Sequence, residues 1–442
     1  MSDPTGTSAL HLTRALGKAS WRLIPFLFVL YVVAYLDRVN VGFAQLQMKT
    51  ALDLSDAAYG FGAGLFFVGY FLFEVPSNLL MVRVGARRWI ARIMISWGVI
   101  SSATMCARGE TSFYALRVLL GLAEAGFFPG IILYLTYWFP PRERAAAVAR
   151  FMTAIGLSLV IGGPLSGAIM DGLHGRWGWA GWQWLFLLEG LPSILGGFAV
   201  LAILPDGPAD ATWLTTDEKT ALRETMRARS EARSEASPRR DLSTLRDALV
   251  DGRVWLLSTI YFMTAMGLYG LTLWVPQIVK DVAGGSAFRV GVISAIPYLL
   301  AAGCMVLSAR HADRTNRYRA ILVITLSVAA AGLVGAALLL DAGPTAVLVA
   351  LSAGVVGLFC AFGPFWAVPP SFLRGTAAAG GIAVINSFGN LGGFVSPWAV
   401  GLVKKRTGSF AGGIGLIAGA LAVAVILIAL GVRGDAAVER AS

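Results

Sequence analysis

The sequence predicts an all-α membrane protein of about twelve transmembrane helices in two pseudo-symmetric six-helix bundles, and three observations predict it. Hydrophobic residues make up 57% of the 442 and charged residues 14%, against roughly 25% charge in a soluble chain. Apolar stretches of the roughly 20 residues needed to cross a bilayer recur from Trp21 to Val432. A single long polar interruption, from about Pro205 to Asp251, divides these stretches into two equal groups.

The stretches begin near Trp21, Ala57, Arg88, Thr111, Ala145, Ala180, Arg253, Arg289, Ala320, Pro344, Thr376 and Phe410. The expected organisation is an N-terminal cytoplasmic segment (1–20), a first bundle (21–204), a cytoplasmic linker (205–251), a second bundle (252–432) and a cytoplasmic tail (433–442). The first apolar stretch is too long for a signal peptide and shows no cleavage site, so it reads as a retained helix. Within the linker, mixed charges at helical spacing predict a surface helix over Thr216 to Glu235, with a break around Pro238.

The formal net charge is +11. Its basic residues cluster at helix ends rather than on one face, which argues for topology and against nucleic acid as a partner. Both termini placed in the cytoplasm put the clusters His11 to Arg22, Arg83 to Arg92, Arg142 to Arg150 and Arg310 to Arg319 on that side, as the positive-inside rule asks. Lys404, Lys405 and Arg406 then fall outside, as a local exception. Cys106, Cys304 and Cys360 have no metal-ligand spacing, the three histidines are dispersed, and the glycine-rich runs lack a Walker lysine. These absences exclude an ATP motor and a metal centre from the sequence reading. No cofactor is expected, only a proton as coupling ion.

The halves echo one another. RVGARR (Arg83 to Arg88) follows the second apolar stretch, and ARHADRTNR (Ala309 to Arg317) follows the eighth, as an internal duplication would give. Arg83, Gly85, Arg87 and Arg88, with Asp313 and Arg314 in the second copy, are therefore the candidate gating loops. Glycine-rich runs, Ile155 to Gly167 and Gly380 to Pro397, allow close helix approach.

A charge at mid-bilayer costs roughly 2.5 to 3.5 kcal/mol on insertion scales, so such residues are functional candidates. Asp37 and Arg38 lie deep in the first stretch, where adjacency permits mutual neutralisation. Arg117 and Glu124 lie in the fourth, spaced to share one helical face. Glu74, placed about one turn from the cytoplasmic end of the second, reads as a snorkelling or loop-paired residue. Asn386 is a polar group in an apolar stretch, equally suited to substrate or to a neighbouring helix. Tyr70, Tyr269, Trp274 and Trp366 are candidate cavity walls. An arginine in a membrane cavity attracts anions. A neighbouring carboxyl is pulled towards neutrality by burial and towards charge by the arginine, which makes a proton switch coupled to anion binding.

The runs YLDRVNVGFA, GYFLFEVPSNLL, RVGARRWIARI, ALRVLLGLAEAGFFPGIILYLTYWFPPRERA and AGWQWLFLLEGLPS resemble the anion:cation symporter family of the major facilitator superfamily, most closely its tartrate, phthalate and hydroxyphenylacetate permeases. The resemblance covers nearly the whole chain. It implies proton-driven uptake of a small organic anion through a bacterial inner membrane by a monomer that alternates access. The proton would be carried by the residues matching Asp37 and Glu124, and the anion held by Arg38 and Arg117. Tyr70 and Asn386 match substrate-contacting positions. Val82 replaces the family's usual acid before the first loop arginine, and Ile155 replaces a polar contact of sugar-acid relatives. The second departure argues for a smaller or aromatic carboxylate. The rival reading is a proton-coupled exporter of a drug or metabolite, which two cavity arginines disfavour for cationic cargo.

Overall fold

In the computed structural model, residues 4–235, 250–369, 373 and 375–432 are described; the expected break around Pro238 and the tail 433–442 lie outside them. The first half comprises α1 (Pro4–Val39), α2 (Val41–Ala51), α3 (Asp56–Val84), α4 (Ala86–Ala103), α5 (Glu110–Glu124), α6 (Phe127–Trp138), α7 (Pro141–Gly172) and α8 (Gly181–Ile203). The linker carries α9 (Thr216–Glu235), at the predicted place. The second half comprises α10 (Gly252–Ala283), α11 (Ala287–Thr315), α12 (Tyr318–Leu338), α13 (Pro344–Ala367), α14 (Gly375–Asn390), α15 (Gly392–Thr407) and α16 (Ala411–Gly431).

Eleven stretches among the described residues are long and apolar enough to cross a membrane, with α1–α2 and α5–α6 each counted as one. Helices α14 and α15, 16 residues each, form the remaining pass only together. The breaks have local causes. Gly126, at φ +88°, starts α6 directly after Glu124 and Ala125, a left-handed backbone that glycine adopts without cost. Gly85, at φ +97°, separates α3 from α4; a Cβ there would lie 2.8 Å from a carboxylate oxygen of Asp206.

Helix α1 starts at Pro4 and runs through residue 20. Ala15 and Ala19 are fully buried, and Lys18 Nζ donates to Glu218 of α9 at 2.8 Å. The segment before Trp21 is thus the first turns of a helix that the linker helix covers. The exception at Lys404 also has a partner. Its ammonium donates to Asp281 at 2.7 Å and lies 3.6 Å from the centre of the Phe410 ring, which moderates one cation of that loop.

Chain order alternates two ends: α1, the α3–α4 and α11–α12 loops and the linker at one, the α2–α3, α7–α8 and α10–α11 loops at the other, called here the linker end and the far end. Helices α7 with α11, α3 with α15 and α2 with α10 join the halves. At the far end these contacts are backbone-close. A Cβ on Gly291 would come 2.0 Å from the Gly163 carbonyl oxygen, one on Gly60 2.2 Å from that of Pro397, and one on Gly401 2.2 Å from that of Asp56. Gln45 Nε2 donates to the Leu273 carbonyl at 2.6 Å. The Asp171 carboxylate accepts from the backbone N–H groups of Ala287 at 3.2 Å and Phe288 at 2.7 Å, so a side chain of one half caps the first turn of a helix in the other. Gly163 and Gly167 of the first glycine-rich run, and Phe394 and Pro397 at the end of the second, therefore sit at a seal between the halves.

Because side chains cannot enter such contacts without displacing backbone, Gly291→Val should open the far end. In a cysteine-free background, thiol labelling of Thr272→Cys from that side should rise severalfold in the Gly291→Val variant.

Candidate functional site

Two successive residues of α1 point to different places, because neighbours on a helix are turned by about 100°. Asp37, 1% exposed, faces α4: Trp97 Nε1 and Ser101 Oγ donate to it, and Asn40 Nδ2 does so at 2.9 Å. Arg38 faces the interface with α5, where its Nε donates to Glu124 Oε1 at 2.9 Å and its Nη2 donates to the same oxygen. The expected mutual neutralisation of Asp37 and Arg38 is therefore corrected to an Arg38–Glu124 pair. Three neutral donors take the arginine's place at Asp37.

Arg38 is enclosed by rings. Its guanidinium carbon lies 5.7 Å from the Tyr35 centroid, 5.6 Å from that of Phe66 and 5.5 Å from that of Tyr70, distances at which a cation is attracted to a ring face. Tyr269, from the second half, has its ring 4.2 Å from that of Phe67, which in turn lies 5.1 Å from Phe66. Tyr70 lies beside the Arg38 guanidinium, and Tyr269 packs on Phe67 nearby. Trp366 lies in a cluster of the second half, 4.9 Å from Tyr261 and 5.3 Å from Phe365 between centroids. Trp274, also weighed for the wall, belongs to the far-end seal instead, donating from Nε1 to the Pro397 carbonyl at 3.1 Å.

Arg117 is 2% exposed. Its Nη2 donates to the Ala63 carbonyl at 3.2 Å, it stacks 5.1 Å from Phe66, and its Nε and Nη1 have no hydrogen-bond partner among the described residues. The seven-residue spacing puts it on the Glu124 face, as expected, but about 10 Å away along the axis. The two groups therefore do not touch: Glu124 is at the centre, and Arg117 lies against the backbone of α3.

Glu74 also departs from its expected place. Helix α3 continues to Val84, so Glu74 lies about three turns from the end of the helix rather than one. Its carboxylate, 6% exposed, accepts from Asn386 Nδ2 at 2.9 Å and Ser387 Oγ at 3.0 Å. Asn386, a predicted substrate contact, is here a bridge from α14 to α3. The inter-half bond lies about one turn from Tyr70, towards the linker end.

The candidate loop residues are held within their own halves. Arg87 N–H donates to Asp206 Oδ1 at 2.9 Å, and its guanidinium donates to the Leu201 carbonyl. Asp206 thereby anchors the loop between α3 and α4. Arg83 and Arg88 are exposed, as is Arg314, and Asp313 accepts from the Tyr318 hydroxyl at 3.1 Å.

Beside Tyr35 lies an apolar cleft walled by Ile155, Tyr298, Met305, Phe359 and Phe362 among others. Its walls come from both halves, and its Tyr35 edge adjoins the guanidinium of Arg38. The residues missed in the sequence were Trp97, Ser101 and Asn40 around Asp37, and Glu189, which lies 5% exposed in α8. Glu189 stood in the conspicuous run WLFLLEGLPS; a lone acid mid-way along an apolar helix was the available signal.

Removing one member of a buried ion pair typically costs about 3 to 5 kcal/mol, because the other charge is stranded. Arg38→Ala should therefore lower the thermal midpoint more than the double variant Arg38→Ala/Glu124→Gln, measured in the same detergent.

The model of the Major Facilitator Superfamily matches residues 27–397. A protein of Agrobacterium vitis named "Putative tartrate transporter" is 51% identical over 418 residues, 94% of each chain. The "Quinolone resistance transporter" of Acinetobacter baumannii is 42% identical over 398 residues, 89% of each. Among solved structures, that of a D-xylose-proton symporter superposes with a TM-score of 0.72 at 16% identity, over 95% of this chain and 98% of that one. Two six-helix halves around a buried ion pair, with this likeness along nearly the whole length, make the chain a multi-pass membrane transporter belonging to the major facilitator superfamily.

Proposed function

We propose that the chain takes up a small organic anion, a carboxylate with an aromatic or apolar body, in symport with protons, across a bacterial inner membrane with both termini in the cytoplasm. The observation that carries this reading is the Arg38–Glu124 pair. A carboxylate arriving at Arg38 competes with Glu124 for the guanidinium. Once displaced, Glu124 is a buried acid without its cation, and burial then favours the protonated form. Anion and proton binding thus reinforce each other.

The apolar cleft supports the substrate class. Its Tyr35 edge adjoins Arg38, and Ile155 stands in its wall, so a polyhydroxylated ligand would leave hydroxyls without partners there. A carboxylate head on Arg38 and a flat apolar body against Tyr298, Phe359 and Phe362 would satisfy both. Two relatives bear on the cargo: the tartrate-named relative supports an anionic cargo, and the quinolone-resistance-named relative accords with the second reading, export by proton antiport. The distribution of basic loops supports a cytoplasmic linker end.

The test is uptake in proteoliposomes with an imposed proton gradient, over a panel of carboxylates. Glu124→Gln should lose gradient-driven accumulation at least tenfold while retaining exchange of internal for external substrate; full accumulation in that variant would remove Glu124 from coupling. Accumulation only in everted membranes would favour the export reading.

A further inference from the structure

The reach that α3 needs to touch the second half grows along the helix. On one broad face, at the three- and four-residue spacing of a helix, a Cβ on Gly60 would come 2.2 Å from the Pro397 carbonyl oxygen, and one on Gly64 2.7 Å from that of Phe394. Further along, the Phe67 ring reaches α15, where a Cβ on Gly393 would lie 2.7 Å from it. Tyr70 then faces Arg38. Glu74 spans to α14 with its whole side chain, accepting from Asn386 Nδ2 at 2.9 Å and Ser387 Oγ at 3.0 Å. Backbone thus meets backbone at the far end, a ring meets backbone in the middle, and two side chains must reach one another towards the linker end. The halves diverge from a vertex at the far end, and Glu74 bridges them where the gap is wider. One turn on, Asn78 donates to the Glu74 carbonyl of its own helix at 2.9 Å.

The partner of Glu74 is a half-helix. Helix α14 ends at Asn390 and α15 begins at Gly392, so Asn386 and Ser387 stand just before the break, while α15 belongs to the far-end seal. Two backbone bonds at the break span three residues rather than four: Leu391 N–H to the Phe388 carbonyl at 3.2 Å, and Phe394 N–H to the Leu391 carbonyl at 3.0 Å. That tighter turn is the kind that marks a hinge within a helix. The donors to Glu74 are both neutral. Water can replace them, so the bridge can part without stranding an opposite charge, as an ion pair would.

Resting on the reading that the cargo's charge binds at Arg38 and that the linker end is one of its two exits, we propose that Glu74 is the latch of the linker-side gate. It is a positioning residue that holds α14 across α3 one turn from Tyr70. With the bridge made, cargo at Arg38 is shut off from the linker end. With it parted, α14 turns at the Leu391 break and the site opens there, and entering water takes over both the carboxylate and its donors. The far-end seal rests on α15 and stays shut meanwhile, so the site opens to one side at a time.

The test measures the separation of the halves. In a cysteine-free background, spin labels at Val82→Cys and Thr315→Cys, both exposed at the linker ends of α3 and α11, report it by electron double resonance without cargo or gradient. Glu74→Ala should raise the long-distance population about twofold or more, and Asn386→Ala/Ser387→Ala should raise it alike. All three together should raise it no further, because they act through one bridge. A residue that only stabilised its own half would lower the thermal midpoint and leave this distance unmoved. Should Glu74→Ala fail to fold, Glu74→Gln decides: its amide keeps one acceptor oxygen, so the shift should be smaller and in the same direction. An unmoved distance distribution in the folded variant, or additive shifts, overturns the proposal. Because the measurement needs no transport, a shift as stated beside uptake that ignores the proton gradient would leave the latch standing and remove the coupled reading instead.

Discussion

The Arg38–Glu124 pair is the constraint around which the rest is arranged. Neither charge would be tolerated alone in an apolar bundle, so α1 and α5 are fixed to one another wherever the pair is intact. Enclosure by Tyr35, Phe66 and Tyr70 holds the guanidinium by ring faces, which an arriving anion does not have to displace. Only the carboxylate partner is exchangeable. A site built this way can change ligand without losing its cation's position, which is the property a carrier needs at its centre.

Around that centre the two ends of the molecule are closed by different chemistry. At the far end, backbone meets backbone at glycines, and a carboxylate caps a helix across the halves. These contacts are dense, and among the described residues the ion pair near them, Lys49 with Asp56, is only part-buried, so parting them exposes groups that water can serve. About one turn from Tyr70 towards the linker end, the bond from Glu74 to Asn386 and Ser387 joins the halves through side chains. That bond sets a carboxylate of one half against neutral donors of the other, close to the place where the substrate's own charge would arrive.

Hydropathy and spacing placed most of the fold in the sequence. The apolar stretches and the linker helix over Thr216 to Glu235 are local signals; the linker helix stands at the expected place, and eleven stretches among the described residues are long and apolar enough to cross a membrane. Partnership was not legible, because it depends on which way a side chain turns. Asp37 and Arg38 are adjacent in sequence and serve different helices; Arg117 and Glu124 share a face and do not meet. Glu74 was misplaced through the position of a helix end, an error of two turns that changed a boundary residue into an inter-half bridge. Trp274 carried no mark distinguishing a cavity wall from a seal, since an indole suits either. Glu189 was hidden in a run read as a family signature rather than as a buried charge.

The central claim is that anion binding at Arg38 transfers Glu124 to a proton. It is tested most directly by the protons taken up when a transported carboxylate binds the purified protein in weakly buffered detergent solution, read with a pH indicator. The account predicts proton uptake on binding that disappears in Glu124→Gln while the anion still binds. Binding without proton uptake in the unmodified protein, at a pH where Glu124 is ionised, would contradict it.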